Sequence, residues 1–196
     1  MHNTEDGRKY TELDFGKLKI ISLRSLLNHV TNETSLNKLR EVLFQFKCNK
    51  KDLDEEDFLH NKAITFEKTK KARTYLVINN SQIVAFFSLS FKSIDLQSFS
   101  KSKIKELTAG ETDATTYSAF LIGHIAKSDD IKQPMGDYLL DMAFDLLESA
   151  QEIIGGRLVY LDCKDKPKIK KLYENYGFKY FNTSEKTKLL QYYIKI

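Results

Sequence analysis

Cys48 and Cys163 are the only two cysteines in this 196-residue chain. Two in that length do not make a disulfide framework, so both are expected as buried free thiols. The four histidines, His2, His29, His60 and His124, show neither HExxH nor CxxC spacing, and no metal site is expected. No apolar run approaches the length of a membrane span, which argues against a bilayer-crossing helix. The opening MHNTEDGRKYTELD is polar and lacks the apolar centre of a secretory signal, so the expected location is the cytoplasm. Internal repeats and low-complexity linkers are also missing. A single domain over 1–196 is expected, with 1–14 loose.

What remains is an ordinary globular composition with a mild net charge of +4. That charge is too small for composition alone to argue a nucleic-acid partner. Its distribution says more. KDKPKIKK at 164–171, followed by Lys179, Lys186, Lys188 and Lys195, makes the C-terminal part far more basic than the whole, and such a cluster attracts anions. The plain alternative is the solvated face of a helix.

Hydrophobic spacing divides the chain into elements. KLKIISL at 17–23 reads as an opening strand. In NKLREVLFQF, Leu39, Val42, Leu43 and Phe46 recur at helical spacing. Asp52 or Asp54 is placed to cap a helix over DEEDFLHNKAITFEK, whose acidic first turn suits the positive end of the dipole; Phe58, Leu59, Ala63 and Phe66 form its apolar face. ARTYLVI and QIVAFFSLSFKSI, joined through Asn79, Asn80 and Ser81, read as an antiparallel hairpin. Residues 97–116 are polar and read as a variable insertion. AFLIGHIAK reads as a central strand, and GDYLLDMAFDLLESAQEII as a helix buried along Leu139, Leu140, Ala143, Phe144 and Leu147. Gly155 and Gly156 stop that helix. A strand RLVYLDC, a helix PKIKKLYENYG begun by Pro167 and stopped by Gly177, and two final strands complete the chain. Hairpins in the first half and crossovers in the second imply a mixed α/β sheet covered by helices.

The loop after the central strand, with the helix start that follows it, is where an α/β protein places an anion. Lys132 adds charge there, and Gly136 lets backbone approach a phosphate, although close helix–sheet packing explains the glycine equally well.

AFLIGHIAK, MGDYLL, RLVYLDC and KLYENYGFKYF together resemble the core of the GNAT superfamily of N-acetyltransferases. The resemblance implies a mixed, mostly antiparallel twisted sheet flanked by helices, with its fourth and fifth strands splayed. It implies acetyl-CoA as cosubstrate, its pantetheine arm along His124, Ile125, Ala126 and Lys127. The pyrophosphate would lie on Lys132, Gln133, Met135, Gly136 and Asp137. The superfamily's FYxxxGF ending stands here as LYENYGF, which implies that Tyr173 protonates the departing thiolate; a phenol suits that task because it is a polar donor tolerated among apolar neighbours. An aromatic core anchor is the bland reading of the same residue. Upstream, FKC, FLHNKAITFEK, ARTYLVI and IVAFFSLS are similar to the branch whose members include toxins acting on aminoacyl-tRNA, so that the likeness covers roughly residues 40 to 195.

That branch implies a tRNA acceptor met by Arg73, Lys164, Lys166, Lys168, Lys170 and Lys171, a small antitoxin partner, and a homodimer. Glu67, Asp95 and His124 are the candidate general bases, with Glu67 expected on a solvated helix face. The chain departs from the superfamily pattern in its loop. Ile131 stands where a glutamine or arginine is usual, and Pro134, which has no N–H, replaces the middle glycine. Lys132 and Gln133 are the compensating groups. The alternatives are an acetyltransferase acting on a protein or small amine, and a binding protein on the same fold whose coenzyme loop has decayed.

Overall fold

The computed structural model describes residues 11–48, 53–97 and 99–196. Asp52 and residues 1–10 therefore lie outside the described residues. The strands β1 (Lys19–Ser22), β2 (Arg73–Asn79), β3 (Gln82–Asp95), β4 (Thr116–Lys127), β5 (Leu158–Cys163), β6 (Lys179–Thr183) and β7 (Leu190–Lys195) form one sheet ordered β1-β2-β3-β4-β5-β7-β6. The helices are α1 (Leu23–Leu27), α2 (Glu33–Phe44), α3 (Leu53–Asp57), α4 (Ala63–Lys68), α5 (Lys101–Thr108), α6 (Gly136–Ile154) and α7 (Pro167–Tyr176). β4 runs parallel to β5, whereas β1–β2, β2–β3, β5–β7 and β6–β7 are antiparallel. The β4–β5 ladder covers Phe120↔Val159, Leu121↔Tyr160 and Ile122↔Leu161. β4 then continues to Lys127 beyond that ladder, as expected for a splayed pair.

The chain clusters into two compact units, the first drawn from Met1–Leu89 and His124–Leu139, the second from Ser90–Gly123 and Leu140–Ile196. The core of the first unit gathers Leu23, Leu43, Leu59, Leu76 and Phe86, with Phe46 edge-on to Phe86 at 5.3 Å between ring centroids. Its hairpin closes through Asn80 and Ser81, both at positive φ (46° and 67°), the geometry that matches strand twist in a two-residue turn. α2 begins four residues before the NKLREVLFQF stretch does, because Asn32 and Ser35 cap each other's backbone N–H groups at 2.9 and 3.1 Å. Val42, expected inside, is 40% exposed, and the buried stripe uses Leu36 and Leu43.

The helix expected over 54–68 is interrupted by a π turn at Phe58–Lys62, joining α3 to α4. A π turn widens the spacing locally, which a 3.6-residue period does not anticipate. Phe58, Leu59 and Ala63 are buried as expected. Glu67 is a correction: it is fully buried, accepting from the Thr74 amide at 2.7 Å and from Arg73 Nη1 at 2.9 Å. A carboxylate is tolerated there because charge and hydrogen bonds compensate its desolvation.

The second unit is built on Leu96, Leu107, Leu158, Tyr160 and Tyr193. α5 lies inside the stretch expected as an insertion; Ser100 caps it, and Ile104 and Leu107 bury in this core. The five residues expected on the buried side of α6 are 8% exposed or less. Past α6, Gly156 has φ 131°, and a Cβ on it would meet Phe120 Cε2 at 2.4 Å, so both conformation and space demand glycine. Both cysteines are buried, and no disulfide joins them.

Candidate active site

The end of β4 carries the first cluster, all of it within the first unit. The His124 amide donates to Ser88 Oγ at 3.0 Å. Its ring lies flat against Phe58, 3.8 Å between centroids at 15°. His124 Nδ1 is 2.7 Å from Glu55 Oε2. Glu55 and Phe58 are three apart on a helical segment and so reach the same side. Ring and carboxylate both keep an opening to solvent, with side chains 30% and 25% exposed. The acidic run 54–57 reads in the sequence as a helix-dipole device, and nothing in it singles out Glu55.

Beyond Lys127 the chain turns through residues 128–131. The Ser128 and Asp129 amides donate to the carbonyls of Val84 and Lys47, and those of Asp130 and Ile131 to Ser128 Oγ and the Ser128 carbonyl. These four N–H groups are therefore engaged within the fold. Lys127, half-buried, donates its ammonium to the Ile131 carbonyl; burial pushes its pKa down, opposed by Asp129. The first bond of α6 runs from the Leu139 amide to the Met135 carbonyl at 2.9 Å. Helix geometry leaves the N–H groups of Gly136, Asp137 and Tyr138 without an intrahelical acceptor, where the dipole favours an anion. Met135 is buried, Lys132 is exposed, and Asp137 places a carboxylate in the first turn. That side chain opposes an anion, so Asp137 serves one only through its backbone.

Gln133 does something the sequence did not foretell. Its Oε1 accepts from the Leu13 amide at 3.1 Å, and its Nε2 donates to the Leu13 carbonyl at 3.2 Å. The Thr11 amide donates to the Asp130 carbonyl at 3.0 Å, and Phe15 meets Tyr138 at 5.2 Å. Residues 11–14, expected loose, form with Phe15 a strap along the loop.

In the second unit, Tyr173 is 4% exposed and packs edge-on to Phe178 at 5.7 Å and tilted to Tyr192 at 6.3 Å. Gly177 ends α7 at φ 106°, and the Phe178 amide returns to the Tyr173 carbonyl. This left-handed cap turns the chain from α7 into β6. Tyr176 donates to Asp141 Oδ1 at 2.9 Å, and Tyr192 to Glu174 Oε1 at 3.0 Å.

The residues expected at a nucleic acid do not fall in one unit. Arg73 belongs to the first, where it pairs with Glu67. Lys164, Lys166, Lys168, Lys170 and Lys171 belong to the second. Lys168 and Lys171 are exposed on α7, and Lys170 pairs with Asp165 at 2.7 Å. Asp95, a candidate base, is exposed and accepts from the Gln97 amide in a turn. Among the described residues no cluster of three or more His, Cys, Asp or Glu is arranged for a metal, and no helix is long and apolar enough to cross a membrane.

No protein-family model matches the chain, and no curated protein matches it by sequence. Solved structures do. AtaT complexed with acetyl-methionyl-tRNAfMet superposes with a TM-score of 0.66 at 18% identity, over 91% of this chain and 94% of that one. AtaTR bound with acetyl-CoA gives 0.64 at 15%, over 92% and 94%. A tyrosine-to-phenylalanine mutant of KacT gives 0.65 at 15%, over 91% and 95%. The chain shares the fold of these proteins across nearly its whole length.

Proposed function

From that shared fold and the LYENYGF motif, we propose that the chain is a cytoplasmic N-acetyltransferase moving the acetyl group of acetyl-CoA onto the α-amine of an aminoacyl-tRNA. The observation that carries the reading is the path of β4: it outruns its ladder with β5, then passes through a turn into the N-terminus of a long helix. Strand backbone beyond a ladder suits an amide-bearing arm, and a helix start suits a pyrophosphate. Acetyl-CoA supplies the activated acyl group. In this reading the backbone of His124, Ile125, Ala126 and Lys127 holds its arm, with the His124 amide already engaged by Ser88. Lys132, Gln133, Met135, Gly136 and Asp137 surround the pyrophosphate, Lys132 by charge and the helix start by its N–H groups. Gln133 acts by fixing the loop against Leu13.

Tyr173 is the proton donor to the leaving thiolate, assigned by the motif alone. The α-amine of an aminoacyl ester is less basic than a lysine ammonium, so more of it is neutral and ready to attack at neutral pH. Arg73 and the lysines on and before α7 meet tRNA phosphates, a contact that weakens as salt rises. A small antitoxin and a second copy of the chain are the protein partners, as AtaT is bound to the C-terminus of the antitoxin AtaR in one solved structure.

Calorimetric titration with acetyl-CoA, beside a Lys132→Glu control, tests the cradle: micromolar binding that weakens in the control supports it. Absence of binding by calorimetry and by a second method would sink the enzyme reading. With binding in hand, Tyr173→Phe should lower acetylation of aminoacyl-tRNA by about 10²-fold or more. A second reading, a tRNA-binding protein on a decayed enzyme fold, is favoured by Pro134, which has no N–H to offer. It predicts salt-dependent tRNA binding from a chain that ignores acetyl-CoA.

A further inference from the structure

We infer that His124, held by Glu55, is the base that takes the proton from the attacking amine. The inference rests on the acetyltransfer reading and adds to it the residue that the sequence left unassigned. Two of the three base candidates are committed elsewhere. Glu67 has no exposed surface and is bonded to Arg73 and the Thr74 amide. Asp95 closes an exposed turn.

His124 differs in three respects. It lies two residues past Ile122, where the β4–β5 ladder ends, on the stretch assigned to the acyl carrier's arm. Its ring is fixed on both sides of the problem, by the flat contact with Phe58 and by the 2.7 Å bond to Glu55. A carboxylate accepts only, so Nδ1 is the nitrogen that donates to Glu55, and in a neutral imidazole the lone pair then falls on Nε2. Among the described residues Nε2 makes no hydrogen bond, and the side chain is 30% exposed. Glu55 from α3, Phe58 from the π turn and Ser88 from β3 all contact His124. This is the arrangement of an oriented imidazole base, with the carboxylate setting tautomer and ring angle.

In the step itself, the amine nitrogen bonds to the thioester carbonyl carbon, and the C–S bond breaks with its electron pair going to sulfur. The surplus proton on nitrogen passes to His124 Nε2. The thiolate takes up a proton ultimately from solvent, and His124 returns its own to solvent, which restores the neutral imidazole. Glu55 touches no reacting atom and is a positioning residue.

The test compares wild type, His124→Ala, His124→Gln and Glu55→Gln. Acetyl-CoA affinity by calorimetry should stay within about twofold in all four, while kcat falls about 10²–10³-fold in both His124 variants, with the KM for aminoacyl-tRNA little changed. Added imidazole should restore part of the turnover of His124→Ala, which a merely structural tie between helix and strand would not permit. In ¹⁵N spectra of the wild type without substrates, His124 should carry its hydrogen on Nδ1, and Glu55→Gln should shift it toward Nε2. Near-wild-type turnover in a folded, acetyl-CoA-binding His124→Ala protein would overturn the assignment. So would a loss that imidazole leaves untouched, or an Nε2–H tautomer in the wild type. If His124→Ala does not fold, His124→Gln and the wild-type spectrum still decide. Failure of the wild type to bind acetyl-CoA is a different result: it removes the acetyltransfer reading, and this assignment with it.

Discussion

In the first unit carboxylates turn inward to side chains and backbone: Glu67 into a fully buried site, Glu55 onto His124, and Glu56 Oε2 onto the Cys48 amide at 2.9 Å. In the second unit tyrosine hydroxyls come out to meet carboxylates. Tyr176 donates to Asp141, Tyr192 to Glu174 and Tyr160 to Asp162, and in each case burial and then the carboxylate push the phenol's pKa up. A tyrosine brings a large apolar body and releases only its tip to a polar partner. A buried carboxylate has to be desolvated whole, and tolerates that only with charge and N–H groups around it. The first unit thus rests its polar contacts on carboxylates that need charge and N–H groups around them, the second on tyrosine tips that need one polar partner each.

The largest effect should come from Glu67→Ala, which removes the acceptor of the buried Thr74 amide and of Arg73 together. A loss of about 3 kcal/mol is expected, from two hydrogen bonds to a charged group. Urea denaturation reads it, and a change under about 1 kcal/mol would erase the contrast between the units. Gln133→Ala, which releases the strap from the loop, should cost about 1–2 kcal/mol for its two neutral bonds. It should also weaken acetyl-CoA binding measurably; unchanged affinity would separate the strap from the cradle. Tyr192→Phe in the second unit should cost about 1 kcal/mol, read from the same denaturation curves. A cost equal to that of Glu67→Ala would contradict the contrast between a buried carboxylate and a tyrosine tip.

The smallest effect concerns Glu106, which accepts from Lys195 and Lys103 at 2.9 and 3.0 Å. Lys195 first and Lys103 second hold its pKa down to about 2, from an ordinary 4.5. A carboxyl depressed in the folded state contributes in full above its unfolded value, and that contribution fades as pH falls through the folded one. The stability difference between wild type and Glu106→Gln should therefore be constant above about pH 5 and vanish toward pH 2, and its exposed setting keeps it below about 1 kcal/mol. Denaturation at pH 7, 4 and 2.5 checks the trend; a difference that grows on acidification has the wrong sign.

Patterns local in sequence were legible: the Asn80–Ser81 turn, the buried side of α6, the Pro167 start and Gly177 stop of α7, and the alternation of strands and helices that gives the mixed sheet. Departures arose where a distant partner intervened. Glu67 looks like a surface helix residue until β2 brings Arg73 and Thr74 to it. The Gln133–Leu13 bonds span 120 positions and the Glu55–His124 pair spans 69, separations that no periodicity encodes. The π turn escaped for a related reason, since its register is set by what Phe58 and His60 touch: His124 for the one, the Phe46 carbonyl for the other.

The contact of Gly156 with Phe120 has a consequence for descent. With 2.4 Å between an added Cβ and the ring, the two positions cannot enlarge independently. Sequences sharing this fold that carry any side chain at the position of Gly156 should carry a smaller residue at that of Phe120, and the pair should change together or not at all. Where identity to solved structures of the same fold is below a fifth of positions, this exclusion is a constraint that the fold itself imposes.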